Sequence, residues 1–188
     1  YNNGGFTSII NTTLSNNGNA GIGAIVNYQG GELELSNSTV TDNNAYDAAV
    51  FNGENSKATV TSTIIAGNSG EIIPERDDVI GTFISGGNNL IGNVTASNGF
   101  DSPSDLTGTA DNPLEPRLGE LQNNGGATPT IALLDSSPAI DVGSNPNNLA
   151  TDQRGEGFNR TVDNGTDIGA YEVQNIVSSN EIVGTGKS

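Results

Sequence analysis

Thr7-Ser-Ile9-Ile-Asn11-Thr-Thr-Leu14-Ser-Asn-Asn17, Leu33-Glu-Leu35-Ser-Asn37-Ser-Thr-Val40-Thr-Asp-Asn43 and Ala58-Thr-Val60-Thr-Ser62-Thr-Ile-Ile65-Ala-Gly-Asn68 are one phrase written three times. Shifts of 26 and then 25 residues superpose them and bring Asn17, Asn43 and Asn68 to the same closing position. A fixed period in this range marks stacked structural repeats. Inside each phrase apolar and polar residues alternate, as at Thr7/Ile9, Leu33/Leu35 and Ala58/Val60, which is the period of a strand. A second short strand carries Leu14, Val40 and Ile65. A third follows a Gly/Asn turn in Gly23-Ala-Ile25-Val-Asn27 and Ala48-Ala-Val50-Phe-Asn52. Three strands separated by turns make one coil.

One coil buries too few apolar side chains to offset the entropy of ordering its own residues. Coils stacked at about 4.8 Å share one core and pair every backbone amide with the next layer. Equivalent residues then form columns, here Ile9/Leu35/Val60 and Leu14/Val40/Ile65. The expected fold is all-β: a right-handed single-stranded parallel β-helix over residues 1–93, right-handed because parallel crossovers strongly favour that hand. Asn17, Asn43 and Asn68 are expected as a ladder of amides lining a turn, and Asn27 with Asn52 as a second, shorter one.

Composition limits the function classes. Only 32% of the 188 residues are hydrophobic, while Gly numbers 26, so the core is thin and aliphatic and long helices are disfavoured. A net charge of -16, from 22 acidic and 6 basic residues, repels nucleic acid and anionic leaflets. No apolar run reaches the length of a membrane span, so direct membrane insertion is not expected either. The acidic excess suits a compartment rich in divalent cations, where Ca²⁺ relieves carboxylate repulsion. Cysteine is absent, which removes disulfides and thiol chemistry. Histidine is absent too, which removes imidazole acid/base catalysis and the usual zinc sites.

The 25-residue spacing is interrupted by Glu71-Ile-Ile-Pro-Glu-Arg-Asp-Asp78 and is lost beyond Gly92. Residues 94–172 are expected to cap the exposed core and strand edges in irregular structure, and residues 173–188 to form a linker or tail. The chain opens inside a repeat-like phrase, so it reads as a piece of a longer protein.

Six phrases in the second half occur in a fixed order: Gly87-Asn-Asn-Leu-Ile-Gly-Asn93, Asp105-Leu-Thr-Gly-Thr109, the run from Leu118 to Thr130, the run from Ala132 to Gly143, Thr151-Asp-Gln-Arg-Gly155 and Asp167-Ile-Gly-Ala-Tyr-Glu172. Together with the repeat they resemble bacterial, cyanobacteria-like parallel β-helix proteins with a choice-of-anchor C-terminal region, akin in style to polymorphic outer-membrane proteins. The resemblance implies an extracellular or cell-surface location and supplies no catalytic residues.

Charged residues of the second half suggest how the cap is pinned. Asp152, Arg154, Arg160, Asp167 and Glu172 are candidates for charge-assisted pairs, because the planar guanidinium engages a carboxylate or several carbonyls at once. Asp163 and Asp167 bracket a Gly turn and are the candidate Ca²⁺ ligands, although the spacing is not that of a twelve-residue calcium loop, and a tight Asx turn is the better explanation. For carboxylate catalysis Asp42 with Asp47, or Asp77 with Asp78, can be nominated, although Asp42 stands where the other copies have Asn16 and Gly67 and reads first as a turn residue. Arg76 is a possible base beside the latter pair. The ending Gly184-Thr-Gly-Lys-Ser188 looks like a phosphate loop but lacks its first Gly and any following helix.

The expectation is therefore a non-enzymatic structural or adhesive module of a larger exported protein, with no catalytic residues. Its partners would be carbohydrate, matrix or further copies of itself, without cofactor unless Ca²⁺ binds. A polysaccharide lyase or glycosidase with its active coils elsewhere, and a self-assembling filament or sheath subunit, are the alternatives.

Overall fold

The computed structural model describes residues 1–18, 21–70, 77–163 and 165–174. Over these the chain has eighteen strands, numbered β1–β18 in chain order, and no helix. Parallel strands stack into a β-solenoid of about three turns. One face is the sheet of β1 (Asn2–Asn3), β4 (Ile25–Tyr28), β8 (Val50–Asn52), β12 (Val79–Thr82) and β15 (Ser97–Asn98). A second stacks β2 (Phe6–Ile10), β5 (Glu32–Ser36), β9 (Lys57–Thr61) and β13 (Ile84–Ser85). The third stacks β3 (Thr13–Ser15), β6 (Thr39–Thr41), β10 (Ile64–Ile65), β14 (Leu90–Ile91) and β16 (Leu106–Thr107). Short strands β7 (Asn44–Ala45) and β11 (Ser69–Gly70) pair at a corner, and β17 (Leu118–Gln122) with β18 (Thr130–Leu133) forms an antiparallel ribbon outside the stack.

The register follows the repeat. Ile9 lies beside Leu35 and Leu35 beside Val60, while Leu14, Val40 and Ile65 form the matching column on the third face. These residues point inward and, with Ile25, Val50, Val79 and Ile91, make one aliphatic core. Phe83 and Phe100 close its far end, with ring centroids 5.0 Å apart.

Corners recur as strictly as strands. Asn11, Asn37, Ser62 and Asn88 occupy one corner, all left-handed, with φ of 54°, 42°, 49° and 57°. Asn16, Asp42 and Gly67 occupy the next, at 57°, 54° and 71°. A single left-handed residue turns the chain sharply between two extended segments. Asn, Asp and Gly tolerate that region best, which accounts for the Asn-rich composition. Asp42, nominated above as a carboxylate catalyst, is thus an exposed corner residue.

Residues 94–172 divide into two parts. The first adds an incomplete layer to the stack, with β15 beside β12 and β16 beside β14. The second doubles back along the flank, layer by layer. Asn88 donates to Val142 O, Asn37 to Ser144 O, Ser36 to Asn147 and Asn11 to Thr151 O, while Thr13 donates to Gln153. The physical reason lies on the outer side of the third face. There Ile64 and Leu90 follow Thr39 in register, and these apolar side chains are buried against Leu133, Ala139 and Ile168. The larger part of the region is therefore a lateral strap laid over an apolar outer surface. At the opposite end of the stack β1, β2 and β3 are edge strands, each paired on one side only among the described residues.

Candidate functional site: polar columns and a buried arginine clamp

The amide column runs through the corner that closes each repeat phrase. The backbone N–H and Nδ2 of Asn17 both donate to Asn43 Oδ1, at 3.1 and 2.9 Å. Asn43 repeats the pattern onto Asn68 Oδ1 at 3.1 and 2.9 Å. Asn68 repeats it onto Asp78 Oδ1 at 3.1 and 2.8 Å. The second amide hydrogen reaches back to a strand carbonyl, Leu14 O from Asn43 and Val40 O from Asn68, each at 3.0 Å. An amide both donates and accepts, so it can propagate the column; an ionised carboxylate only accepts, so it ends one. Asp78, from the segment that breaks the repeat, takes the acceptor place that Asn93, 25 residues after Asn68, leaves by turning its Oδ1 to the Thr95 N–H. It is 3% exposed, and burial pushes its carboxyl up to about 6 against the opposing donors from Asn68.

Asn27 and Asn52 form a second column, which begins one layer earlier than the repeat phrases suggested. Asn2 donates to Asn27 Oδ1 and Asn27 to Asn52 Oδ1, both at 2.8 Å, and Asn52 ends the run on Thr82 O at 2.7 Å. A side chain at Gly31 would overlap Asn27 Oδ1, so this column requires glycine there.

A third column escaped the sequence reading. The residue after each left-handed corner is Thr12, Ser38, Thr63 or Asn89, and the backbone N–H of each donates to the side-chain oxygen of the next layer. The run again ends on a carboxylate, with Asn89 N to Asp105 Oδ1 at 3.0 Å. The signal was present as a hydroxyl or amide residue at the same place in each phrase. All three columns are polar in one sense, with donors directed toward later layers.

The strap is held by a clamp of two arginines. Arg160 is fully buried and donates to Gly169 O at 2.8 Å, Asp167 O at 3.1 Å and Tyr171 O at 3.3 Å, and to the Glu172 carboxylate. Arg154 makes a forked contact with Asp152, Nε to Oδ2 at 3.0 Å and Nη2 to Oδ2 at 2.6 Å. Its guanidinium lies between the rings of Phe158 and Tyr171, 3.9 and 3.8 Å from their centroids. Such a sandwich suits a weakly hydrated planar cation. Asp167 enters the clamp differently. Its carboxylate accepts the N–H groups of Asp141 and Val173 at 2.8 and 2.7 Å, while its backbone carbonyl accepts from Arg160. Burial raises the carboxyls of Asp167 and Glu172, the latter to about 7 despite the pull of Arg160.

The candidate Ca²⁺ ligands sit in unlike places. Asp163 is an exposed left-handed turn residue flanked by the Val162–Gly165 bridge, whereas Asp167 is buried with N–H donors on both carboxylate oxygens. Among the described residues no group of three or more acidic, His or Cys side chains is placed to hold a metal ion. Asp77 accepts Gly70 N at 2.8 Å, and its neighbour Asp78 ends the amide column. Arg76, the Gly184–Ser188 ending and most of the expected tail lie outside the described residues.

The outward columns of the second face are polar in the middle layers, with exposed Phe6 at the first layer and exposed Ile84 at the last. Glu32 and Lys57 pair across adjacent layers at 2.7 Å, and Ser8, Glu34 and Thr59 share a column beside them. Between this face and the strap lies a cleft of about 180 Å³, lined by Glu34, Ser36, Thr59, Thr61 and Asn147 among others. No family model, curated protein or solved structure matches this chain.

Proposed function

We propose that the chain is a non-enzymatic structural and adhesive module of an exported or cell-surface protein, offering a rigid polar face to carbohydrate or matrix. The observation that carries this reading is where the carboxylates go. Asp78 and Asp105 end polar columns, while Asp152 and Glu172 are partnered to arginines, so these acids, all buried but the half-buried Asp105, serve the scaffold. The outer second face meanwhile repeats Ser8, Glu34 and Thr59 in register, a spacing suited to many weak contacts made at once. The ordered phrases of the second half, which resemble choice-of-anchor β-helix proteins of bacterial surfaces, agree with it.

The test is a polysaccharide panel incubated with the purified chain, with and without Ca²⁺, followed for new reducing ends or unsaturated sugars. No turnover is expected. Turnover abolished by an Asp77→Asn/Asp78→Asn double variant would overturn the proposal in favour of a carbohydrate-active enzyme.

Assembly through the first coil is a second reading, favoured by the one-sided pairing of β1, β2 and β3. The polarity of the columns narrows it. A layer docking there meets acceptors and must itself supply donors, whereas toward the far end of the stack Asp78 is buried beneath the last layer and Asp105 only accepts. Head-to-tail stacking of copies is thus disfavoured, and light scattering that shows concentration-dependent filaments would restore it.

A further inference from the structure

We propose that Tyr28 and Phe51, with Gln29, Glu54 and Asn55, form a binding site for a neutral saccharide on the first face of the solenoid. The inference rests on the adhesive reading above and gives it a specific ligand class and location. The five residues line a cavity of about 370 Å³, within the range of small-molecule sites.

Both rings are fixed by the scaffold. Tyr28 follows Asn27 and Phe51 precedes Asn52, so each aromatic is one residue from a buried amide column. The ring centroids are 6.5 Å apart at an interplanar angle of 43°, giving a floor and an inclined wall. Gly53 N donates to Asn27 O at 2.8 Å and draws the backbone in beneath Tyr28. A Cβ at Gly53 would overlap the Tyr28 ring and crowd Phe51, so glycine is what permits this arrangement. Tyr28 remains 39% exposed and Phe51 half-buried, which leaves aromatic surface for a ligand.

The rim determines the ligand class. Gln29 and Asn55 sit at left-handed corners, with φ of 52° and 59°, and each offers an amide with donor and acceptor. Glu54 adds an acceptor. Aromatic faces complement the C–H face of a pyranose, while amides and a carboxylate suit its ring of hydroxyls. Glu54 and the net charge of -16 repel anionic sugars. Because the corner is preorganised, little ordering is needed on binding. A shallow site meeting one hexose has a Kd of about 1 mM.

The test titrates the whole chain with neutral glucose and galactose disaccharides by saturation-transfer NMR, with digalacturonate and tetramethylammonium as comparison probes. Binding of at least one neutral disaccharide is expected, with none for digalacturonate. Phe51→Ala and, separately, Tyr28→Ala should each weaken it roughly tenfold or more, as loss of a stacking surface does. Gly53→Ala, which removes no contacting group, should weaken it by displacing Tyr28; circular dichroism confirms that each variant is folded. No neutral saccharide binding up to tens of millimolar, binding indifferent to both aromatic variants, or preference for tetramethylammonium would each overturn the site. Failure here with no polysaccharide turnover leaves the non-enzymatic reading standing, so the two are distinguishable.

Discussion

Asn68 donates to Asp78 at 2.8 Å, ten residues ahead in sequence but in the next layer of the stack. The carboxylate accepts what a fourth asparagine would have accepted and offers nothing onward. Four side chains, Asn17, Asn43, Asn68 and Asp78, therefore form a directional chain of hydrogen bonds with a defined end.

Direction makes the middle position sensitive to chemistry as well as size. Asn43→Ala should destabilise by about 2–4 kcal/mol, since buried donors and acceptors on both sides lose their partner. Asn43→Asp is nearly isosteric yet should cost more at neutral pH. It places a carboxylate oxygen against Asn68 Oδ1 and the Leu14 and Thr41 carbonyls, which now receive an amide. Thermal unfolding at neutral pH, and again at about pH 4 where an unperturbed Asp is half protonated, should show the Asp variant recovering as pH falls. Equal stability of the two variants at neutral pH would contradict the directional column.

Stability should fall as pH rises through the acidic range. The Asp78 carboxyl is raised from 3.8 to about 6, so between those values the native state holds a proton that the unfolded chain has lost. The contribution is complete below the unfolded value and disappears as pH passes about 6, a swing of about 3 kcal/mol. Glu172 and Asp167, also raised, act in the same sense, and Glu172 extends the decline to about 7. The melting temperature should be higher at about pH 5 than at about pH 8. Asp78→Asn should flatten much of that dependence, and a melting curve that rises with pH instead would refute the assignment.

Gly169 brings the strap backbone directly against the stack. Its N–H donates to Ser62 O at 3.0 Å, and a Cβ there would lie 2.7 Å from Thr39 Oγ1 and 2.9 Å from Ile64 Cδ1, at a φ of 104° that disfavours any side chain. Gly169→Ala should cost about 1–3 kcal/mol by overpacking. Limited proteolysis should then cut within residues 140–172 while the far-ultraviolet dichroism of the stacked strands persists. Cleavage no faster than in the unaltered protein would show that the strap is held elsewhere.

Arg160 is the more costly of the two clamp residues to remove. Arg160→Ala leaves the buried Glu172 carboxylate without its counter-charge, the Asp167 N–H remaining as a donor, and removes the guanidinium donor from the carbonyls of Asp167 and Gly169, and should cost about 3–5 kcal/mol. The Arg160→Met/Glu172→Leu pair should recover part of this, because neither charge is then left alone. Denaturant midpoints for the three proteins check the order.

How much of this was legible beforehand differs by element. Strands, register and the Asn17/Asn43/Asn68 alignment followed from the period, because a stack at constant spacing leaves equivalent residues nowhere else to lie. The course of residues 117–172 was not read, although a signal existed. Ile64-Ile65 and Leu90-Ile91 are apolar at both positions of a two-residue strand, whereas Thr13-Leu14 and Thr39-Val40 are apolar at one. A strand apolar on both sides must be covered on both. The place of Asp78 was hidden because it interrupts the period, and only three-dimensional proximity returns it to the column.

The sequence alone determined the layered architecture, since repetition at 25 to 26 residues makes local alternation and global stacking the same fact. Tertiary structure decided which polar groups end each column, which flank the strap covers, and where Tyr28 and Phe51 meet. Those relationships join residues with no common period, and such contacts depend on distance in space, which spacing along the chain does not encode.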